Sequence, residues 1–249
     1  MPILPTPDYK PNLFFLGSHV ETLYPYLFRK IDDVGYERQR LELPDGDFID
    51  LDWVKKGADH LLILCHGLEG SSQSQYMKGM TLIANRQDLD VLCINFRSCS
   101  GEMNRKLRMY HHGEISDLQF VVNQIVDRDQ YRYLSLCGFS LGGNVILKYL
   151  GTLGEEAPEL IKSAVAVSVP CDLASSSEAL DQWYNYLYTR RFMHSLKPKF
   201  EYKSQQFPGA INMEMYDQIK TWRQFDDTYT TKVTGFNSAS EYYEQGSAK

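Results

Sequence analysis

Residues 133–151 read Y-L-S-L-C-G-F-S-L-G-G-N-V-I-L-K-Y-L-G, and this stretch decides the fold. Its first five residues form an apolar run that predicts a buried strand, and the residues after Gly143 have the apolar spacing of a helix. Between them, Gly138 and Gly142 remove Cβ atoms where a tight turn brings backbone against backbone. The stretch therefore predicts a strand, a sharp turn and a helix, with Ser140 exposed at the turn.

Three other apolar runs resemble the one at 133–137. They are L-L-I-L-C at 61–65, V-L-C-I at 91–94 and A-V-A-V-S-V at 164–169. Their near-continuous apolar character is typical of parallel strands covered on both faces. Segments with helical spacing lie between the runs, near 75–86, 115–127 and 141–151. This alternation predicts right-handed crossovers and an open, mainly parallel sheet of the α/β class.

A hairpin is expected before this sheet, and helices are expected after it. Residues 38–54 alternate in hydrophobicity around the turn Pro44-Asp45-Gly46-Asp47, which predicts an N-terminal β-hairpin. After residue 174 the sequence is rich in Tyr, Arg and Lys and has no further apolar strand pattern. We therefore expect one α/β domain over 1–249, with the sheet core in 1–173 and a C-terminal helical lid region in 174–249.

Composition limits the partners and the location. The 249 residues are enough for one sizeable core, and the net charge of −6 leaves no basic surplus to neutralise the phosphates of a nucleic acid. The opening M-P-I-L-P-T-P-D-Y-K-P-N-L-F-F lacks the basic and apolar regions of a signal peptide. No apolar run approaches the length of a membrane span. We expect a cytoplasmic protein that does not bind nucleic acid and has no membrane-spanning segment.

The cysteines have neither the spacing of a metal site nor that of a disulfide framework. An odd number of them, five, is scattered along the chain, mostly at the ends of apolar runs. Such cysteines usually pack as small buried apolar side chains. We therefore expect no metal and no other cofactor. The five are Cys65, Cys93, Cys99, Cys137 and Cys171.

The turn at 138–142 carries the main chemical signal. Its G-x-S-x-G pattern follows a predicted strand and opens a predicted helix, which is the context of a nucleophile elbow, and Ser140 is then the nucleophile. The alternative is a tight turn with an incidental serine. His66-Gly67-Leu68 directly follows another strand, so the backbone N–H groups of Leu68 and Leu141 are the expected oxyanion-hole donors. His66 itself is expected to stabilise its turn rather than to act in catalysis.

Seven stretches resemble the YheT-like α/β-hydrolases, a family of esterases related to eukaryotic ester-lipid hydrolases and medium-chain acyltransferases. The resemblance covers nearly the whole chain, although Glu21 and Ser98 stand where Gln and Gly are expected. It implies the α/β-hydrolase fold and a small acyl ester as substrate. The stretches are H-V-E-T-L-Y-P at 19–25, R-L-E-L-P-D-G-D-F-I-D-L at 40–51, H-G-L-E-G-S at 66–71, N-F-R-S-C-S-G-E at 95–102, Y-H-H-G-E at 110–114, G-F-S-L-G-G-N at 138–144 and F-D-D at 225–227.

The resemblance also implies a catalytic acid and a histidine that follow the serine, each after a later strand. Beyond Ser140 the sequence contains one histidine, His194. We therefore expect the last two β/α units to be missing, roughly 60 residues at about 30 per unit. Asp172 and His194 are substitute candidates in the correct order, but His194 lies in a predicted lid helix, where a surface position is expected.

The remaining acidic and histidine residues near the motifs are expected to have supporting roles. His111 and His112 precede the serine and are expected to support a loop near the pocket. Asp226 and Asp227 are expected to cap or brace the lid. Glu69 is expected to line or support the pocket mouth.

Two functional hypotheses follow from the sequence. The first is a serine carboxylesterase that acts on short- to medium-chain acyl esters, because a tyrosine-rich lid suits an acyl chain better than a peptide. The alternative is an inactive, truncated hydrolase that binds a ligand or a partner. An unfinished parallel sheet has an unpaired edge, so we also expect a marginally stable or self-associating monomer.

Overall fold

The structure is a computed structural model and describes residues 17–249. The stretch tested for a signal peptide lies at 1–15, outside the described residues. The described part forms two compact units, of which the first ends at Asp33 and the second is Val34–Lys249. In the first unit, helix α1 (Ser18–Phe28) contains Pro25 and no buried residue.

A single six-stranded sheet organises the second unit. The strands are β1 (Glu37–Glu42), β2 (Phe48–Val54), β3 (His60–Cys65), β4 (Asp90–Asn95), β5 (Tyr133–Phe139) and β6 (Ile161–Val167). Their order across the sheet is β1-β2-β4-β3-β5-β6. The strands β4, β3, β5 and β6 run parallel, whereas β2 is antiparallel to both of its neighbours. The predicted N-terminal hairpin and mainly parallel sheet are confirmed.

Helices connect the parallel strands and follow the last one. The three connecting helices fall where the apolar spacing predicts them, at α2 (Gln75–Arg86), α3 (Ser116–Asp127) and α4 (Leu141–Leu153). Among the described residues no strand follows β6, as expected. The later helices are α5 (Leu173–Leu180), α6 (Tyr186–Gln206), α7 (Trp222–Phe225), α8 (Thr231–Thr234) and α9 (Ala239–Gly246).

The core lies on both faces of the central strands. On one face, residues of α3 and α4 such as Val122 and Ile146 pack against the sheet. On the other face, Met77 and Ala84 of α2 pack against it. Within the part of the chain that the structure describes, no helix has the length and apolar character to cross a membrane.

Strand β6 departs from the prediction. The sequence predicts a strand covered on both faces, but Lys162 to Val165 are exposed and Val165 keeps 55% of its accessible surface. The prediction that β6 is buried is wrong. An apolar run shows that a strand can be buried, but it does not show that a layer of helices covers both of its faces. In residues 17–249, β6 pairs with β5 and with no second strand.

The region after β6 has an apolar core of its own. Leu196 and Phe200 of α6 pack with Trp222, Phe225 and Tyr229 in an aromatic-rich cluster. Phe225 directly precedes a π-helical turn at Asp226–Thr230, and Tyr229 lies within it; turns of this kind are frequent at functional sites.

Four of the five cysteines are buried, and Cys171 is exposed. Cys65, Cys93 and Cys137 belong to the apolar clusters on the two faces of the sheet. They pack as small apolar side chains, as the sequence predicts.

Candidate active site

Ser140 lies in the connection between β5 and α4, with φ 51° and ψ −117°. A positive φ is unfavourable for a residue with a side chain, because Cβ approaches the backbone carbonyl. The Ser140 N–H donates to the carbonyl of Val167 at 2.9 Å, and its carbonyl accepts from the N–H of Asn144 at 3.1 Å. Hydrogen bonds from both the N–H and the carbonyl of Ser140 thus stabilise the strained backbone conformation, and such strain is common at functional sites.

Two glycines make this connection sterically accessible. A Cβ on Gly138 would lie 2.4 Å from the carbonyl oxygen of Gly142. A Cβ on Gly142 would lie 2.4 Å from the carbonyl oxygen of Cys65 in β3. Both contacts are with backbone, which cannot move aside, so only glycine allows α4 to pack this closely against the strand ends. The predicted strand, sharp turn and helix are confirmed.

The turn after β3 lies against Ser140. It is closed by the Gly70 N–H, which donates to the Gly67 carbonyl at 3.0 Å, and Glu69 within it has φ 55°. A Cβ on Gly67 would lie only 3.2 Å from Cβ of Ser140. The two segments that the sequence predicts to form one site are therefore neighbours.

His66 holds this turn in place and is not free to exchange protons. Its Nδ1 donates to the Gly67 carbonyl at 2.7 Å, and its Nε2 accepts from the Phe96 N–H at 3.1 Å. Because one ring nitrogen donates a hydrogen bond and the other accepts one, the neutral tautomer protonated at Nδ1 fits both contacts. Burial lowers the pKa of His66 to about 4. The expectation of a turn-stabilising histidine is confirmed.

The backbone N–H groups of Leu68 and Leu141 have no hydrogen-bond acceptor among residues 17–249. Leu68 lies in the turn against Ser140, and Leu141 is the first residue of α4, where the helix dipole is positive. The first N–H groups of a helix have no intrahelical acceptor, so that of Leu141 is available to a bound group. Leu141 follows Ser140 directly in the chain, and Leu68 lines the same cavity as Ser140.

Ser140 opens into a cavity of about 380 Å³, a size typical of small-ligand sites. Its lining is mostly apolar and comes from the turn after β3, the end of β6 and the helices that follow. The lining residues include Leu68, His112, Leu180, Phe192, Trp222 and Asp226. A smaller cavity of about 50 Å³ shares Leu68, His112 and Asp226 with it and is also lined by Leu141.

His112 lines both cavities but does not contact the serine hydroxyl. Its Nδ1 lies 2.7 Å from the hydroxyl of Tyr242, and its carbonyl accepts from the Asn144 amide at 2.8 Å. Burial lowers the pKa of His112 to about 3, so the ring is neutral and weakly basic. Among residues 17–249 no ring nitrogen is hydrogen-bonded to Ser140 Oγ. His112 thus supports the loop near the pocket, as expected.

Asp226 is the acidic residue in the lining of the Ser140 cavity. It is 3% exposed and accepts hydrogen bonds from Thr230 Oγ1 at 2.6 Å and from the Tyr243 hydroxyl at 2.8 Å. Burial raises its pKa to about 7. The sequence predicts that Asp226 caps or braces the lid region; these bonds tie it to Thr230 and Tyr243, and its position in the cavity wall was not predicted. The F-D-D motif was the available signal, and it does not distinguish Asp226 from Asp227.

The substitute triad is not assembled. Asp172 caps α5 by accepting from the N–H groups of Ala174 and Ser175, and it forms an ion pair with Lys249 at 2.7 Å. His194 is exposed on α6 and lines a different cavity, which Ser140 does not reach. The structure brings neither residue to Ser140. His194 is a surface histidine, as the sequence predicts.

Glu69 lies at the turn and not in the cavity wall. Its carboxylate accepts from the hydroxyl of Tyr110 and from the ammonium of Lys199, each at 2.7 Å. Ser98, where the resembled family is expected to have Gly, has φ 64°, which explains the preference for glycine there. Over residues 17–249 no group of three or more His, Cys, Asp or Glu side chains is placed to hold a metal ion.

A mixed sheet of this strand order, with a strained serine between the fifth strand and its helix, defines the α/β-hydrolase class. The chain belongs to the alpha/beta hydrolase fold family, whose model matches residues 60–238, and within it to the YheT-like members. It is 34% identical over 247 residues to the Escherichia coli (strain K12) protein named "Putative esterase YheT", covering 97% of this chain and 72% of that protein.

Two further likenesses are more distant. The chain is 25% identical to "Phospholipase ABHD3" of Mus musculus, over 97% of this chain and 61% of that protein. It thus spans less than two thirds of that relative's length. Among solved structures, the Pyrococcus furiosus esterase Pf2001 matches with a TM-score of 0.51 and 20% identity, over 64% of this chain and 66% of the other. That likeness concerns the fold alone.

Proposed function

We propose that this chain is a serine hydrolase of the carboxylesterase type, with Ser140 as the nucleophile. The observation that carries the proposal is the position of Ser140, strained at φ 51° and flanked by the unpaired N–H groups of Leu68 and Leu141. A nucleophile held above a helix N-terminus beside two free donors has the geometry needed for acyl transfer.

In the proposed reaction, Ser140 Oγ attacks the ester carbonyl, and the carbonyl oxygen takes up negative charge between the N–H groups of Leu68 and Leu141. The alcohol leaves with a proton, and water then releases the acyl group from the serine. A base must accept the hydroxyl proton of Ser140, because a neutral serine is a weak nucleophile.

We propose short- to medium-chain acyl esters as substrates. The largely apolar cavity of about 380 Å³ behind Ser140 supports this choice. The names of the relatives, an esterase and a phospholipase, also point to ester bonds. A series of p-nitrophenyl esters from two to sixteen carbons tests the proposal. We expect the highest kcat/KM at short to medium length, and equal values at all lengths would contradict it.

The assignment of the serine is tested with the same esters. Ser140→Ala should abolish hydrolysis, whereas Ser176→Ala, which removes another serine of the cavity wall, should keep most of it. If both variants lost ester hydrolysis equally, the loss at Ser140 would reflect a change in the cavity wall and not the removal of a nucleophile. We propose a cytoplasmic location as well, which cell fractionation tests.

A second candidate is a domain that binds acyl ligands without turning them over. It is favoured by one observation: Ser140 Oγ has no hydrogen bond to a base among residues 17–249. Losing the base of a serine hydrolase lowers the rate by several powers of ten. Saturable binding of a medium-chain fatty acid by calorimetry, together with absence of ester hydrolysis, would favour this candidate over the first.

A further inference from the structure

Large side chains are exposed where α6 begins. Trp183 is 85% exposed, Tyr186 58% and Leu187 65%, in a protein whose other two tryptophans, Trp53 and Trp222, are buried. The exposed residues are spaced i, i+3 and i+4, which places them on one side of the helical segment, and exposed Arg190 continues the series at i+7. We call these four residues the α6 stripe. Contiguous exposed apolar side chains usually mark an interaction site.

The segment that carries the α6 stripe also lines the cavity that contains Ser140, although Tyr186 and Arg190 of the stripe line a separate cavity. Leu180, at the end of α5, and Asn185, just before α6, line that cavity, and Phe192 of α6 lines it too. The stripe residues alternate with these lining residues along the same short segment. A partner that contacts the stripe therefore contacts a segment that supplies part of the Ser140 cavity wall.

The helical segment that carries the stripe is basic, although Glu178 and Asp181 lie just before it in the sequence. Residues 183–200 contain two arginines and two lysines, and they contain no aspartate or glutamate. The two lysines are compensated, because Lys197 pairs with Asp217 and Lys199 with Glu69. Arg190 has no ion pair among the described residues. The stripe thus combines exposed aromatic and aliphatic groups with an exposed cation.

This combination fits one kind of partner. Tryptophan and tyrosine favour the boundary between lipid headgroups and acyl chains, and arginine is attracted to anionic headgroups. Helices that lie on membranes have an apolar face bordered by basic residues. We propose that the α6 stripe docks on the surface of a bilayer containing anionic phospholipid. The proposal does not rest on the proposed ester hydrolysis.

Trp183 provides a direct test, because it is the one exposed tryptophan of the three. Tryptophan emission is recorded while vesicles of phosphatidylcholine and phosphatidylglycerol, mixed 4:1, are added to the protein. We expect a saturable shift to shorter wavelength, and quenching by lipids brominated near the headgroup. Pure phosphatidylcholine vesicles should produce a weaker shift.

Matched variants on two helices separate the stripe from general surface effects. Leu187→Ser should weaken binding about tenfold, the effect of withdrawing one large aliphatic side chain. Arg190→Gln should weaken it about fivefold with the anionic vesicles and hardly at all with phosphatidylcholine alone. Ile83→Ser and Arg86→Gln remove an exposed aliphatic and an exposed basic side chain from α2 and should leave binding unchanged.

Three results would overturn the proposal. The first is an emission spectrum that vesicles do not change. The second is an equal loss of binding in the α2 and α6 variants. The third is a shift that needs no vesicles and grows with protein concentration, which would identify the stripe as a contact between copies of the chain.

Discussion

Gly138 and Gly142 are the residues on which the geometry of Ser140 depends most directly. Replacing either with Ala places a methyl group about 2.4 Å from backbone atoms. We expect each variant to lose about 2 kcal/mol or more of unfolding free energy, because the backbone must shift. The measurement is chemical denaturation followed by circular dichroism.

Gly151 in α4 is the control for these variants. A Cβ there meets no atom within 4 Å, so Gly151→Ala should be neutral or stabilising by up to about 1 kcal/mol through helix propensity. If all three variants behaved alike, the close approach at Gly138 and Gly142 would not be the reason for glycine.

Asp226 makes stability depend on pH. Its pKa is about 7 in the folded protein, against about 3.9 in an unfolded chain, so the folded state holds the proton more tightly. Stability from this group is complete below pH 4 and is lost as the pH rises towards 7, by at most about 1.4 kcal/mol per pH unit. Asp226→Asn removes the dependence.

The test compares unfolding free energies of the two proteins between pH 4 and 8. Buried histidines titrate alike in both and cancel from the difference. We expect Asp226→Asn to gain stability relative to the wild type as the pH rises through this range. If unfolding free energy depended on pH in the same way in both proteins, ionisation of Asp226 would not destabilise the folded state.

Sequence reasoning at the residue scale succeeds where the signal is local. Ser140 and its flanking glycines lie within five positions of one another, so the motif and its steric logic are visible together. The roles of Asp226 and Glu69 are not visible. Their partners Tyr243 and Lys199 lie 17 and 130 positions away, and no local pattern contains such pairs.

Among the elements, α6 and the turn after β3 are joined by the Lys199–Glu69 ion pair, whose side chains are 16% and 6% exposed. We expect Lys199→Met to cost about 2 kcal/mol, because a charged hydrogen bond is lost and Glu69 stays buried. Lys197→Met, on the same helix, breaks an exposed pair with Asp217 and should reduce stability far less than Lys199→Met does.

Hydrogen exchange at the turn gives a second readout for this pair. If Lys199 holds the turn, its loss should speed amide exchange at 66–70, whereas loss of Lys197 should not. Equal protection in both variants would contradict the idea that α6 positions the turn that contains Leu68.

Among the secondary-structure elements, the strands and the connecting helices could be predicted because apolar residues recur with a different spacing in each. Helices α2, α3 and α4 lie within a few residues of the predicted segments. The burial of a strand was predicted correctly only where helices cover both faces of the sheet. Strands β3 and β4 are buried almost throughout, whereas β6 is exposed over Lys162 to Val165, although the apolar runs look similar.

For the whole molecule, the exposed edge of β6 predicts association between copies. Unpaired strand edges with apolar side chains template pairing, and charged residues block it. We expect the average mass in sedimentation to rise with concentration, and Val165→Lys to reduce that rise. Ile83→Lys on α2, at a site of similar exposure, should not. A wild-type monomer at all concentrations would contradict the prediction.

The central claim, that Ser140 is a nucleophile in an assembled site, is tested most directly by labelling with a fluorophosphonate. These reagents react with activated serines, and mass spectrometry locates the modified residue. The account predicts labelling of the wild-type chain at Ser140 and none in Ser140→Ala. A folded protein whose Ser140 stays unmodified would contradict it, and the site would then be one that binds acyl ligands without reacting with them.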